Sequence, residues 1–131
     1  MSLVPTPTTR LALDEINPAG FDFWLREDVH GAFAKLRHIV PSCVVTNGPG
    51  GAYVRHGRIE THVPAFPCQP KDVTGAGDMF AGSFLYGLTH GVPADQAARA
   101  ACFLAMKVIT QLGARLHHGT KQFWEEALAA P

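Results

Sequence analysis

Cysteine is scarce in this chain of 131 residues: Cys43, Cys68 and Cys102 are the only three, and they lie far apart. An odd number at such spacing makes neither a disulfide framework nor a zinc motif, and it suits a reducing, cytoplasmic setting. Excess charge is missing as well. Eleven lysines and arginines balance eleven aspartates and glutamates, which removes any bulk attraction to nucleic acid or to an anionic membrane. No stretch approaches the roughly 18 consecutive apolar residues of a membrane-spanning helix. The opening Met-Ser-Leu-Val-Pro-Thr-Pro lacks the basic start and apolar run of a secretory leader. Internal repeats and low-complexity tracts are also absent.

What is present is a single domain's worth of chain, 47% hydrophobic, with 13 glycines and 10 prolines as punctuation. Residues 1–20 read as an irregular opening segment broken by Pro5, Pro7 and Pro18, and residues 21–131 as the folded part. The spacing of Phe23, Trp24, Val29, Phe33 and Leu36 predicts a helix over 22–38. Cys43–Thr46, Ala52–Arg55 and Arg58–Val63 read as three short strands, with Ile59, Thr61 and Val63 on one face. Asn47–Gly51 and His56-Gly57 are the turns between them. Pro64, Pro67 and Pro70 stiffen the next connector. A helix then opens behind Asp72–Asp78, its apolar face formed by Phe80, Phe84 and Leu88 and widened by Met79, Leu85 and Tyr86. A second helix starts at Val92–Asp95 with a stripe of Ala97, Ala101, Leu104, Ala105, Val108 and Leu112. Gly113 ends it, and a last amphipathic helix covers about 120–129. This order predicts an α/β fold, a short strand meander followed by three helices.

The chemistry concentrates in Thr74-Gly75-Ala76-Gly77-Asp78. Three small residues leave their backbone N–H groups open to an anion, and the helix behind adds the positive end of its dipole. Such a turn suits the charge that develops in phosphoryl transfer, and a carboxylate at its mouth, Asp78, can take the proton of an attacking hydroxyl. Taken alone, the same residues also read as a tight loop with Asp78 near a helix N-cap. Neither the Walker pattern nor Gly-x-Gly-x-x-Gly is present. His117-His118 has no carboxylate at a ligand spacing and reads as a solvated loop. His56 and His62 read as surface residues, Cys43 and Cys102 as small core residues, and Trp24 and Trp124 as packing residues.

The order Val-Val-Thr-Asn-Gly-Pro-Gly-Gly-Ala-Tyr-Val, a hairpin, a proline-rich connector, then Asp-Val-Thr-Gly-Ala-Gly-Asp-Met-Phe-Ala-Gly-Ser-Phe resembles the ribokinase-like (PfkB) carbohydrate and nucleoside kinases. The resemblance covers about residues 43–114, and the run after Phe84 looks most like the bacterial adenosine-kinase-like branch. It implies the C-terminal portion of an α/β/α sandwich. It also implies ATP-dependent phosphoryl transfer to a sugar or nucleoside hydroxyl. Asp78 would be the base and Gly75, Ala76 and Gly77 the anion hole. Thr46, Gly48 and Gly51 match the Thr-x-Gly-x-x-Gly turn that lines the ATP site, and Val108 to Gly113 its other wall. Asp72 and Thr74 match positions beside a monovalent cation, K+, while Mg2+ would come with ATP. Ala12-Leu13-Asp14-Glu15 stands about where the family carries Asn-x-x-Glu, with Ala12 in place of asparagine.

The family's N-terminal half, with most of the sheet and most acceptor-binding residues, has no counterpart in this sequence. A base without an acceptor pocket loses the positioning that supplies much of catalysis. The alternative is therefore a non-catalytic nucleotide-binding or assembly module derived from such a kinase. Strands without their usual neighbours would leave open edges and an apolar face. Unless the sequence is a piece of a longer polypeptide, self-association or association with the missing half is the expected behaviour, and a clean monomer by light scattering at high concentration would overturn that expectation.

Overall fold

A computed structural model describes residues 29–130. The opening segment, Glu15, Phe23 and Trp24 lie outside the described residues. Within them the order is α1 (Val29–Ile39), β1 (Ser42–Thr46), β2 (Ala52–His56), β3 (Ile59–Val63), α2 (Ala76–Thr89), α3 (Ala94–Ile109) and α4 (Thr120–Ala129). A single 3-10 turn, Gly48–Gly50, joins β1 to β2.

The three strands form an antiparallel meander in the order β1-β2-β3. Val44 faces Val54 across the first pair, and Val54 faces Thr61 across the second. Side chains alternate between the two faces of a strand, and that alternation sets the layers. Ala52 and Val54 are fully buried and join Val63, Phe80, Phe84, Ala97, Ala98 and Ala101 in one core. Their face is covered by α3, which packs on β2 and β3 and carries α2 and α4 beside it. Tyr53, on the opposite face, meets His30 and Phe33 of α1. Helices therefore cover both faces of the sheet. Arg37 of α1 binds Glu60 of β3 with two nitrogens, at 2.7 Å and 2.9 Å. That bidentate, half-exposed pair contributes up to about 1 kcal/mol and fixes where α1 crosses.

The alanines of α3 behave as their spacing implies. Ala97, Ala98, Ala100 and Ala101 are completely buried, so the helix backbone can approach α2 closely. Gly87 completes that contact from the α2 side: a Cβ there would lie 2.7 Å from the Ala97 methyl and 3.0 Å from the Trp124 ring. Lys107 ties α4 to α3, its ammonium lying 5.0 Å from the Phe103 centroid and 4.7 Å from that of Phe123.

Two apolar stripes differ from the sequence reading. The buried side of α2 is Phe80, Ser83, Phe84 and Gly87, whereas Leu85 is 59% and Tyr86 49% exposed. Leu85, one position past Phe84, turns off the side that faces α3, and Tyr86 sits at the margin of that side, where its ring meets Trp124 of α4 across the cleft. Helix α3 ends at Ile109, not at Gly113. The Thr110 hydroxyl turns back to Lys107 O at 2.8 Å, the chain leaves the helix there, and Leu112 stands 70% exposed. Strand β1 is half-buried, because it lies at one edge of the sheet.

Burial pushes the Cys102 thiol up to about 11, so it stays protonated and inert in the core. Among the described residues no helix is long and apolar enough to cross a membrane.

Close packing at Gly87 yields a paired prediction for urea denaturation. Gly82 lies in the same helix, and a Cβ added there would meet nothing within 4 Å, so Gly82→Ala should raise stability by about 0.4–1 kcal/mol. Gly87→Ala should instead lower it by about 1–3 kcal/mol, because overpacking against Ala97 outweighs the gain in helix propensity.

Candidate functional site

Asp72 organises the loop that precedes α2. Its Oδ1 accepts the Thr74 N–H at 3.0 Å and its Oδ2 accepts the Gly113 N–H at 3.0 Å. The N–H groups of Lys71 and Asp72 both donate to Ile109 O, at 2.7 Å and 3.2 Å. The connector and the end of α3 are thereby sewn together. Hydrogen bonds from the Thr74 hydroxyl, then from the Thr74 and Gly113 backbone N–H groups, hold the Asp72 carboxyl below its ordinary 3.8.

Gly75 follows in the left-handed region, at φ 85° and ψ 0°, and caps α2. A side chain is excluded there twice over. The backbone sign disfavours one, and a Cβ would fall 2.8 Å from Ala114 Cα and closer still to the Ala114 carbonyl oxygen. A left-handed residue leading into a right-handed helix turns successive N–H groups toward one concavity. Gly75 O accepts the Met79 N–H at 2.9 Å, and the Ala76 N–H makes a long bond of 3.3 Å to Val73 O. The N–H groups of Gly77 and Asp78 have no hydrogen-bond partner among the described residues. They are the unpaired donors of a helix start, at the positive end of its dipole. The Asp78 side chain is exposed in the same turn.

Beside Asp78 opens a cleft of about 920 Å³, bounded by Met79, Gly82 and Tyr86 of α2, Leu104 of α3, Arg115, and Trp124 of α4. Apolar and aromatic walls with a carboxylate and cations at hand are the usual makeup of a small-molecule pocket.

The second predicted segment is the β1–β2 turn. Gly51 is buried at φ 84°, and a Cβ would lie 2.9 Å from Ala65 N and from Pro64 Cα. Thr46 pairs with Ala52 at the end of β1, and Gly48 is exposed.

The structure thus joins Asp72, Thr74, Gly75 and Gly113 around one loop. Val108 stays fully buried in α3, and its carbonyl accepts the Thr110 and Gln111 N–H groups. Thr46, Gly48 and Gly51 line a different feature and do not border the cleft. Sequence pattern does not single out the Ala114–Arg115 segment or Trp124 as site residues. Only Gly113 points that way, because the contact between Ala114 and Gly75 is made across two distant loops. His117 and His118 are exposed. Among the described residues no group of three or more His, Cys, Asp or Glu side chains could hold a metal ion.

Residues 17–120 match the sequence pattern described as pfkB family carbohydrate kinase. This chain belongs to that family. Among curated proteins, this pfkB-family chain is 35% identical over 88 residues to a cytidine kinase of Thermococcus kodakarensis, covering 65% of the chain and 29% of that protein. It is 34% identical over 85 residues to a ribokinase of Bacillus subtilis, again covering 65% and 29%. Its fold matches the crystal structure of an adenosine kinase from Sinorhizobium meliloti with a TM-score of 0.70 and 29% identity, over 80% of this chain and 32% of that one. The pfkB-family chain therefore spans about three tenths of the length of the curated relatives it matches. Its mixed α/β architecture is part of a ribokinase-like fold. The similarity does not single out the adenosine-kinase branch, since cytidine kinase and ribokinase match at nearly equal identity.

The Asp72 bridge sets an acid-stability expectation. A carboxyl with a depressed folded-state value stabilises the fold above its unfolded value, and that stabilisation is lost as pH falls through the lower folded value. Unfolding monitored by circular dichroism should therefore show the unaltered chain losing stability more steeply than Asp72→Asn below about pH 4. Parallel pH profiles for the two would remove Asp72 from that role.

Proposed function

We propose that this chain carries the phosphoryl-transfer centre of an ATP-dependent sugar or nucleoside kinase. One observation carries the reading. The unpaired Gly77 and Asp78 N–H groups and the exposed Asp78 carboxylate lie in one helical turn, held in place by Gly75 against Ala114. That arrangement puts anion donors and a proton acceptor within a few ångströms of each other.

Each residue then has a defined task. The Asp78 carboxylate accepts the proton of the acceptor hydroxyl as its oxygen attacks the terminal phosphorus of ATP. The new O–P bond forms as the bond to ADP breaks. The unpaired Gly77 and Asp78 N–H groups, at the end of the Gly75–Gly77 turn, hold the oxygens of the transferring group, where negative charge spreads. Thr46, Gly48 and Gly51 line the nucleotide, with the end of α3 from Val108 to Gly113 as the facing wall.

Asp72 and Thr74 offer oxygen donors of the hard kind that suit K+ or Mg2+. Asp72 accepts the Thr74 and Gly113 N–H groups and the Thr74 hydroxyl, and its two oxygens together keep lone-pair capacity beyond these three bonds. The donor set therefore fits a cation beside the anion hole. A cation bound there supplies positive potential to the transferring phosphoryl group, and magnesium bound with ATP supplies the same to its phosphates. Asp72 itself holds the loop in register whether or not a cation sits on it.

The acceptor class rests at sugar or nucleoside, because relatives named for each are equally similar. A second reading draws on the short span of the match: a nucleotide-binding or assembly module without turnover. ATP binding with no ADP formed over a broad acceptor panel would favour it.

Calorimetric titration of the chain with Mg-ATP in potassium buffer is the direct test. Saturable binding near one equivalent is expected, and a folded sample that binds nothing overturns the proposal. Asp78→Asn should keep that binding while lowering any measured turnover by about 10²–10⁴-fold, the usual share of a general base.

A further inference from the structure

The Gly48–Gly51 turn makes a hydrogen bond that its own backbone does not account for. Inside the turn Gly50 N donates to Asn47 O at 2.8 Å, Gly51 N to Gly48 O at 3.0 Å, and Asn47 N to Gly51 O at 2.8 Å. The Gly50 carbonyl takes no part in that set. It accepts instead from His62 Nε2, at 2.7 Å. A carbonyl can only accept, so Nε2 carries the hydrogen, as it does in one neutral tautomer and in the imidazolium alike.

The imidazole is held for this contact. His62 stands opposite Tyr53 in the β2–β3 register, with the ring centroids 4.5 Å apart and the planes 31° from parallel. Tyr53 is braced in turn from α1. The His30 ring meets it edge-on at 4.9 Å, the Phe33 ring lies at 5.5 Å, and the Tyr53 hydroxyl is 3.3 Å from His30 Nε2. A continuous set of contacts thus runs from α1 through Tyr53 and His62 to one carbonyl of the turn.

We infer that His62 is a positioning residue that locks the Gly48–Gly51 turn and, through it, orients the bound nucleotide. The second half of that statement rests on the nucleotide role proposed above; the first does not. A turn of three glycines and one proline makes no side-chain contact with a ligand beyond the Pro49 ring, so its peptide orientation is what a ligand reads. Gly51 is pinned from behind by Val63, Pro64 and Ala65. His62 supplies the second anchor. With both in place the Gly48 N–H, unbonded among the described residues, keeps one direction instead of several.

Amide exchange by NMR at Gly50 and Gly51 in the unliganded chain, followed by Mg-ATP titration, tests this in His62→Ala, His62→Gln and the unaltered protein. His62→Ala should speed exchange at those two glycines and weaken ATP binding by about two- to tenfold, the range one ordinary hydrogen bond sustains. Its thermal midpoint should stay within about 2 °C. His62→Gln, whose amide nitrogen can occupy the Nε2 position, should restore both readouts. Unchanged exchange in His62→Ala overturns the inference, as does loss of protection that glutamine fails to rescue, which would mark mere packing against Tyr53. If the unaltered chain binds no ATP, the nucleotide reading falls, and the exchange data alone decide for or against the lock.

Discussion

The Asp72 carboxylate reaches across 41 residues of sequence to accept the Gly113 N–H, while its other oxygen accepts Thr74 N–H two residues away. Much of the site depends on that pair of bonds. They close the loop before α2 on itself and fasten it to the segment after α3. Gly75 can then lie against Ala114, and its left-handed backbone starts the helix whose first N–H groups stay unpaired. A charged acceptor suits this task, because hydrogen bonds to a carboxylate are stronger than those between neutral groups.

Behind the loop, the helices are positioned by small residues more than by large ones. Ala97, Ala98 and Ala101 let α3 come close to both the sheet and α2, and Gly87 lets Trp124 of α4 and Ala97 of α3 meet α2 at one point. The cleft beside Asp78 exists because α4 docks at that point, with its Trp124 ring edge-on to Tyr86 at 5.3 Å. Packing of this kind is rigid, since neither a methyl group nor a backbone can swing aside. The loop before α2 therefore rests on a base that holds its backbone in one position.

The two glycine-rich turns are stabilised by different means. The loop before α2 uses a carboxylate and a backbone-to-backbone approach. The turn between β1 and β2 uses a buried glycine against β3 and an imidazole on its carbonyl. Both solutions fix peptide planes by contacts from outside the turn. The chain belongs to the pfkB family and spans about three tenths of the length of the curated relatives it matches.

Local pattern made the elements legible. Alternation at Ile59, Thr61 and Val63 marked β3, Asn47-Gly48 marked the turn, and Gly75-Ala76-Gly77-Asp78 ahead of Phe80 and Phe84 marked a glycine-led helix start. These are short-range signals, set by backbone sterics and by the periods of strand and helix. The same periodicity overextended α3 to Leu112 and widened the buried face of α2 to Leu85 and Tyr86, because apolar character alone does not reveal which side a neighbour covers. Residue order along the chain therefore settled the kind and the order of the elements. Folding in three dimensions was needed to bring Asp72 to Gly113, Gly75 to Ala114, and His62, read as a surface residue, to Gly50. Each of these contacts joins segments whose separation along the chain carries no local signal, and only packing of the sheet between its helices brings them within hydrogen-bonding distance.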